Sequence, residues 1–245
     1  SNRSIYLWYD HSREGPTPFV TGPNGEVLAK NPLKDKRVRL ALSMAINRQG
    51  IVDRVMENSA VPTGQYLRPG AFSYAPDIKP QAYEPEKAKA LLKEAGFPNG
   101  LRVTIHGPND RYVNDAKIIQ AVAQMWQRIG VQTTVEGLPW SNYVARAGKL
   151  EFSIFLFGWG VSSGEGLNPL RAQLATWNPQ RGLGTANRGR YSNPEVDKLI
   201  DQGMETMDDG AREKIIQNAM RAAMADVPVA QLHLQKNIWA TRKGL

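Results

Sequence analysis

Between residues 101 and 157 two hydrophobic periods alternate along the chain, and no other feature constrains its fold as much. Leu101, Val103 and Ile105 recur every second residue, as a strand requires. Residues 112–129 then place Ala116, Ile119, Val122, Ala123, Trp126 and Ile129 along one side of a helix. Val131, Thr133 and Val135 alternate again, and a short helix is expected over 140–147. Phe152–Phe157 is almost continuously apolar, the pattern of a strand buried on both faces. The order β-α-β-α-β predicts a largely parallel sheet flanked by helices, with right-handed crossovers.

The flanking sequence extends this α/β reading. Ile5, Leu7 and Tyr9 alternate with Tyr6 and Trp8 in a strand over Ser4–Tyr9, and Gly22-Pro23-Asn24-Gly25 marks a turn in the loop that follows. Val38, Ala41, Leu42, Ala45 and Ile46 form one helical face, with Asp35 placed as its N-cap or first-turn acid. Residues 57–83 read as loop. Pro85 suits the first position of a helix whose stripe is Ala88, Leu91, Leu92 and Ala95, and Gly96 ends it. Helices near 194–206 and 210–224 precede a last strand at Val229–Leu234. With no internal repeat, residues 1–245 are expected to form a single α/β domain.

Composition narrows the function classes. The chain has no cysteine, which removes disulfides, thiolate metal sites and a cysteine nucleophile together. Its net charge is +8, but the 31 Lys and Arg residues are scattered, with no basic run longer than two and no aromatic-interleaved basic face, so a nucleic-acid partner is not expected. No apolar run approaches the roughly 18 residues needed to cross a bilayer. No segment reads as a signal peptide, and Ser1-Asn2 in place of Met reads as a processed end, with any targeting sequence upstream. His11, His106 and His233 are far apart, none at metal-ligand spacing, and there is no GxSxG elbow. No metal, no cofactor and no catalytic group is therefore assigned.

In open parallel sheets, ligands gather beyond the carboxyl ends of the strands. Three loops leave such ends: Gly107–Tyr112, Gly137–Trp140 and Gly158–Gly166. They supply the candidate ligand-binding residues Arg111, Tyr112, Trp140, Trp159, Ser162, Ser163 and Glu165. Arg111 offers a rigid fork of donors that matches a carboxylate, and its plain alternative is a surface pair with Asp110 or Asp115. Trp140 and Trp159 could floor a pocket or close the core, and Tyr143 carries a weaker form of the same ambiguity. Ser162, Ser163 and Glu165 could equally be solvated loop residues. The glycines at 158, 160, 164 and 166 spell no nucleotide motif and read as permissive backbone.

Five stretches carry a resemblance. Asn31-Pro32-Leu33-Lys34-Asp35-Lys36-Arg37-Val38-Arg39, followed by Ala41-Leu42 and Ala45-Ile46-Asn47-Arg48, resembles the signature of family 5 extracellular solute-binding proteins of ABC importers, the dipeptide, oligopeptide and nickel type. Tyr83–Ala88 with Leu91-Leu92 and Ala95-Gly96, Phe157-Gly158-Trp159-Gly160, and Tyr191–Asp197 are similar to further landmarks. So is the closing stretch Asp226-Val227-Pro228, Leu232, Trp239-Ala240 and Arg242. The resemblance implies one lobe of a two-lobed, type II periplasmic-binding-protein-like fold, with a missing N-terminal lobe of the same protein. It also implies ABC permease subunits as partners, a periplasmic or lipid-anchored location, and a small or peptide-like solute.

By the same resemblance, Arg111 matches an arginine that holds the ligand carboxylate in peptide-binding members. Ser162 stands where those members place an aspartate for the peptide amino group, and Asn168-Pro169 replaces their Asp-Pro. That departure argues against an ordinary peptide with a free α-amino group, although Glu165 could substitute. The ligand-sensing domain of a transcription regulator is the competing reading. An upstream signal peptide favours transport and an upstream helix-turn-helix favours regulation.

Overall fold

The first strand is the seam of the molecule. In the computed structural model, which describes residues 3–236, β1 (Arg3–Tyr9) is buried on both faces. Ile5, Leu7 and Tyr9 enter one core, while Tyr6 and Trp8 enter a second. The predicted alternation is therefore real, but both of its registers point inward.

One sheet divides the two cores. Its strands run β2-β4-β6-β1-β7-β3, with β5 also bonded to β4. Here β2 is Val20–Thr21, β3 Ala60–Pro62, β4 Arg102–Pro108, β5 Gln132–Leu138, β6 Ile154–Gly160 and β7 Val229–Gln235. The first core is covered by α1 (Lys36–Met44), α2 (Arg48–Arg54), α3 (Pro85–Glu94) and α4 (Asp115–Gln127). The second lies under α5 (Trp140–Gly148), the short α6 (Leu167–Pro169) with its π-helical continuation Leu170–Leu174, α7 (Pro194–Glu205) and α8 (Asp209–Ala225). Among the described residues this is a helix–sheet–helix sandwich. The stretch Trp239-Ala240 and Arg242 lies outside them.

The expectation of a largely parallel sheet needs correction. Among the strands of the described residues, parallel pairing is confined to β4 with β5 and β4 with β6. β1 runs antiparallel to both β6 and β7, and β2 and β3 are antiparallel to β4 and β7. The sheet is mixed. Helical crossovers α4 and α5 force the central strands to share a direction. Periodicity carries no such information about strands contributed from far away in the sequence.

Local chemistry explains where the helices start. Asp35 accepts from the Arg37 backbone N–H at 2.8 Å and caps α1 as expected. Pro85 opens α3, and Gly96 follows it at φ +94°. Asn47 accepts from the Gly50 N–H at 2.8 Å and starts α2, a helix the hydrophobic pattern did not reveal. Asp35→Ala should cost about 1 kcal/mol, to be checked by urea unfolding of the variant against the parent.

Candidate functional site

Because β4, β5 and β6 are mutually parallel, their carboxyl ends share one edge of the sheet. The strands run further than their hydrophobic cores suggest. Gly107-Pro108, Gly137-Leu138 and Gly158-Trp159-Gly160, all expected in loops, belong to β4, β5 and β6. At Gly158 a Cβ would stand 2.7 Å from Ile5 Cδ1 and 2.9 Å from Tyr112 Cε1, so a bare backbone lets the Tyr112 ring settle onto the strand. Arg3 pairs opposite Gly160 and brings the start of β1 to the same edge.

Two aspartates shape this edge. Asp115 Oδ2 accepts from the backbone N–H groups of Arg111 and Tyr112, each at 2.9 Å, and folds the turn before α4. Asp110 Oδ1 accepts from the Trp140 N–H at 2.8 Å, tying the loop after β4 to the start of α5. The Asn109 N–H adds a backbone link, donating to the Leu138 carbonyl at 3.1 Å. Both carboxylates are committed to backbone, and among the described residues neither forms an ion pair with Arg111.

Arg111, Tyr112 and Trp140 come together as a result. The Arg111 guanidinium carbon lies 5.1 Å from the Trp140 ring centre and 5.7 Å from that of Tyr112. The two rings meet edge-on at 6.1 Å, and Trp140 meets Phe157 at 5.8 Å. Tyr112 is buried, with its hydroxyl 3.5 Å from the Gly158 carbonyl. Burial raises the pKa of that hydroxyl, while the bond to Gly158 and the charges of Arg111, Arg3 and Arg188 pull it back. The edge thus presents cationic forks above an aromatic floor. Such a surface can hold an anionic group and stack an apolar body.

The other predicted residues are placed differently. Trp159 is half-buried against the second core and donates Nε1–H to Asn168 Oδ1 at 2.9 Å. Glu165 is joined to Arg212 at 2.8 Å. Ser162 and Ser163 are exposed. Tyr143 is fully buried beneath Trp140, its hydroxyl donating to the Leu156 carbonyl at 2.6 Å, which makes it a core residue. Two arginines escaped the sequence reading. Arg3 lies with its guanidinium carbon 5.8 Å from the Tyr112 ring centre, and Arg188 lies 4.7 Å from that of Phe157. The only hint was the spacing Arg188-Gly189-Arg190 just before Tyr191.

The architecture is that of one lobe of a periplasmic solute-binding protein. DppA from Helicobacter pylori, an ABC transporter-associated periplasmic binding protein in complex with the peptide STSA, matches with a TM-score of 0.78 at 24% identity over 95% of this chain and 42% of its own. HbpA2 from Haemophilus parasuis matches with a TM-score of 0.79 at 21% identity, again over 95% and 42%. The chain belongs to the bacterial extracellular solute-binding proteins, family 5: residues 2–180 match the family described as "Bacterial extracellular solute-binding proteins, family 5 Middle". Heme-binding protein A of Haemophilus influenzae is 30% identical over 196 residues, covering 78% of this chain and 35% of that protein. Glutathione-binding protein GsiB of Pectobacterium atrosepticum is 30% identical over 226 residues, covering 89% and 43%. The chain therefore spans less than half the length of these relatives.

Proposed function

We propose that this chain is one lobe of the substrate-binding component of an ABC importer and acts outside the cytoplasm, in the periplasm or on a lipid anchor. A second lobe of the same protein completes the site. The solute enters between the lobes, contacts from both stabilise the closed state, and the permease subunits recognise that state. The observation that carries this reading is the convergence of Arg111, Tyr112 and Trp140 beyond three parallel strands. Membership of family 5 supports it.

The chemistry bounds the solute. Arg111 takes a carboxylate or similar anion, Trp140 and Tyr112 offer ring faces, and the half-buried Trp159 and exposed Ser162 and Ser163 follow at and beyond the end of β6. Glu165 becomes available to an amine only if its pair with Arg212 breaks, which weighs further against a free α-amino group. Heme and glutathione, named for the relatives, and Ni(L-His), bound in the similar structure of NikZ from Campylobacter jejuni, show the range to be tested.

Native mass spectrometry of the two-lobed protein is the direct test. A small molecule should be retained, and Arg111→Ala should weaken it by about 10- to 100-fold, the worth of one charged hydrogen bond. The isolated 245-residue chain should bind the same molecule far more weakly, since it carries part of the contacts. Submicromolar affinity in the isolated chain would defeat the shared-cleft reading.

A further inference from the structure

Arg188 stands apart from the other arginines by what it lacks. It is half-buried, and its Nε is closed off from solvent with no hydrogen-bond partner. Among the described residues no carboxylate is within ion-pair reach of it and its side chain donates no hydrogen bond. Its guanidinium instead rests on the Phe157 ring at 4.7 Å. A ring face recovers only part of the cost of closing that Nε–H off from water. An anion with two acceptor atoms would satisfy the fork.

The position of Arg188 ties it to the candidate site. Phe157 meets Trp140 at 5.8 Å, and Trp140 carries Arg111 at 5.1 Å. The two guanidinium groups are thus linked by successive contacts of 5.1, 5.8 and 4.7 Å through the Trp140 and Phe157 rings, which meet edge-on. The Tyr112 hydroxyl feels the charges of Arg111, Arg3 and Arg188. Among the described residues the neighbouring acids form no ion pair with Arg111 or Arg188. Asp110 and Asp115 hold backbone N–H groups, and Glu165 holds Arg212.

We infer that Arg188 is a specificity-determining residue that receives a second anionic group, so that the solute carries two such groups, carboxylate or phosphate, on an apolar body. Arg111 takes one and Arg188 the other. This inference rests on the solute-binding reading above.

The test uses the full-length protein and matched probes that differ by one acidic group. N-acetyl-Phe-Glu is compared with N-acetyl-Phe-Gln, and N-acetyl-Phe-phosphoserine with N-acetyl-Phe-Ser, by calorimetry, and the co-purified solute is identified by native mass spectrometry. The more acidic member of at least one pair should bind about tenfold tighter or more, the worth of one charged hydrogen bond. Which pair responds separates carboxylate from phosphate. Arg188→Gln should erase that preference while leaving the less acidic member bound as before, and Arg188→Lys should restore part of it. Arg111→Gln should weaken both members alike.

If no probe binds, a co-purified solute with two acidic groups that is lost from Arg188→Gln supports the inference equally. Equal binding of both members, a preference that survives Arg188→Gln, or a co-purified solute with fewer than two acidic groups overturns it and leaves the solute-binding reading intact. A protein that carries no solute and binds no probe overturns both. Circular dichroism and thermal unfolding of each variant separate loss of recognition from loss of fold.

Discussion

Between pH 6.5 and 4 the protein should lose several kcal/mol of stability, because two histidines enter that range buried and neutral. Burial, then the charge of Arg39, lowers the His11 pKa from 6.5 to about 4. Burial alone lowers that of His233 from 6.5 to about 4, with both ring nitrogens lacking hydrogen-bond partners among the described residues. In this window the unfolded chain binds protons that the folded chain refuses, so stability rises with pH. It is fully present above the unfolded value of 6.5 and lost progressively as the pH falls towards about 4. His233 is 1% exposed, and the full shift corresponds to about 3 kcal/mol. His11 is more open and contributes less. Urea unfolding at a series of pH values reads the slope directly, and His233→Leu should flatten it. A flat profile in the parent protein, or an unchanged slope in the variant, would contradict this assignment.

Gly100→Ala should be among the most damaging single-methyl additions in the chain. Gly100 has φ +78°, and a Cβ there would stand 1.9 Å from the Gly130 carbonyl oxygen. Neither backbone can yield easily. Leu101 beside it is fully buried, and its carbonyl accepts from the Gln132 N–H at 2.8 Å, fixing where β4 and β5 begin their ladder. Strain and displacement together should cost about 3 kcal/mol or more. Gly96→Ala is the control, since φ is +94° there but nothing lies within 4 Å of the added carbon. That change should cost only about 1–2 kcal/mol, the left-handed backbone penalty. Equal losses in urea unfolding would show that the close approach of the two strand starts is unimportant. Gly100→Ala should also weaken solute binding, because β4 and β5 carry Arg111 and Trp140 at their far ends.

Much of this was legible in the residues. The alternation from Leu101 to Phe157 placed β4, α4, β5, α5 and β6 because each element has a buried face with its own period. The convergence of Arg111, Tyr112 and Trp140 followed from three strands sharing a direction. Strand direction elsewhere was not legible, since β1 is brought beside β6, and β7 beside β1, by contacts between distant parts of the chain. The extension of β6 through Gly158-Trp159-Gly160 was hidden because glycine signals loops more often than it signals a ring packed on bare backbone. Arg188 was invisible for a related reason. It sits on Phe157 and reaches the site only through tertiary packing.

The Arg111–Trp140 contact has a mechanical side. Arg111 leads into α4, whose apolar face feeds one core, and Trp140 opens α5, whose buried residues feed the other. The guanidinium and the indole are thus a clasp closed over the lip of the sheet, with one jaw rooted in each helical layer. A repacking that lets either layer slide will prise the clasp apart, so solute retention becomes a gauge of how faithfully two remote interiors are filled.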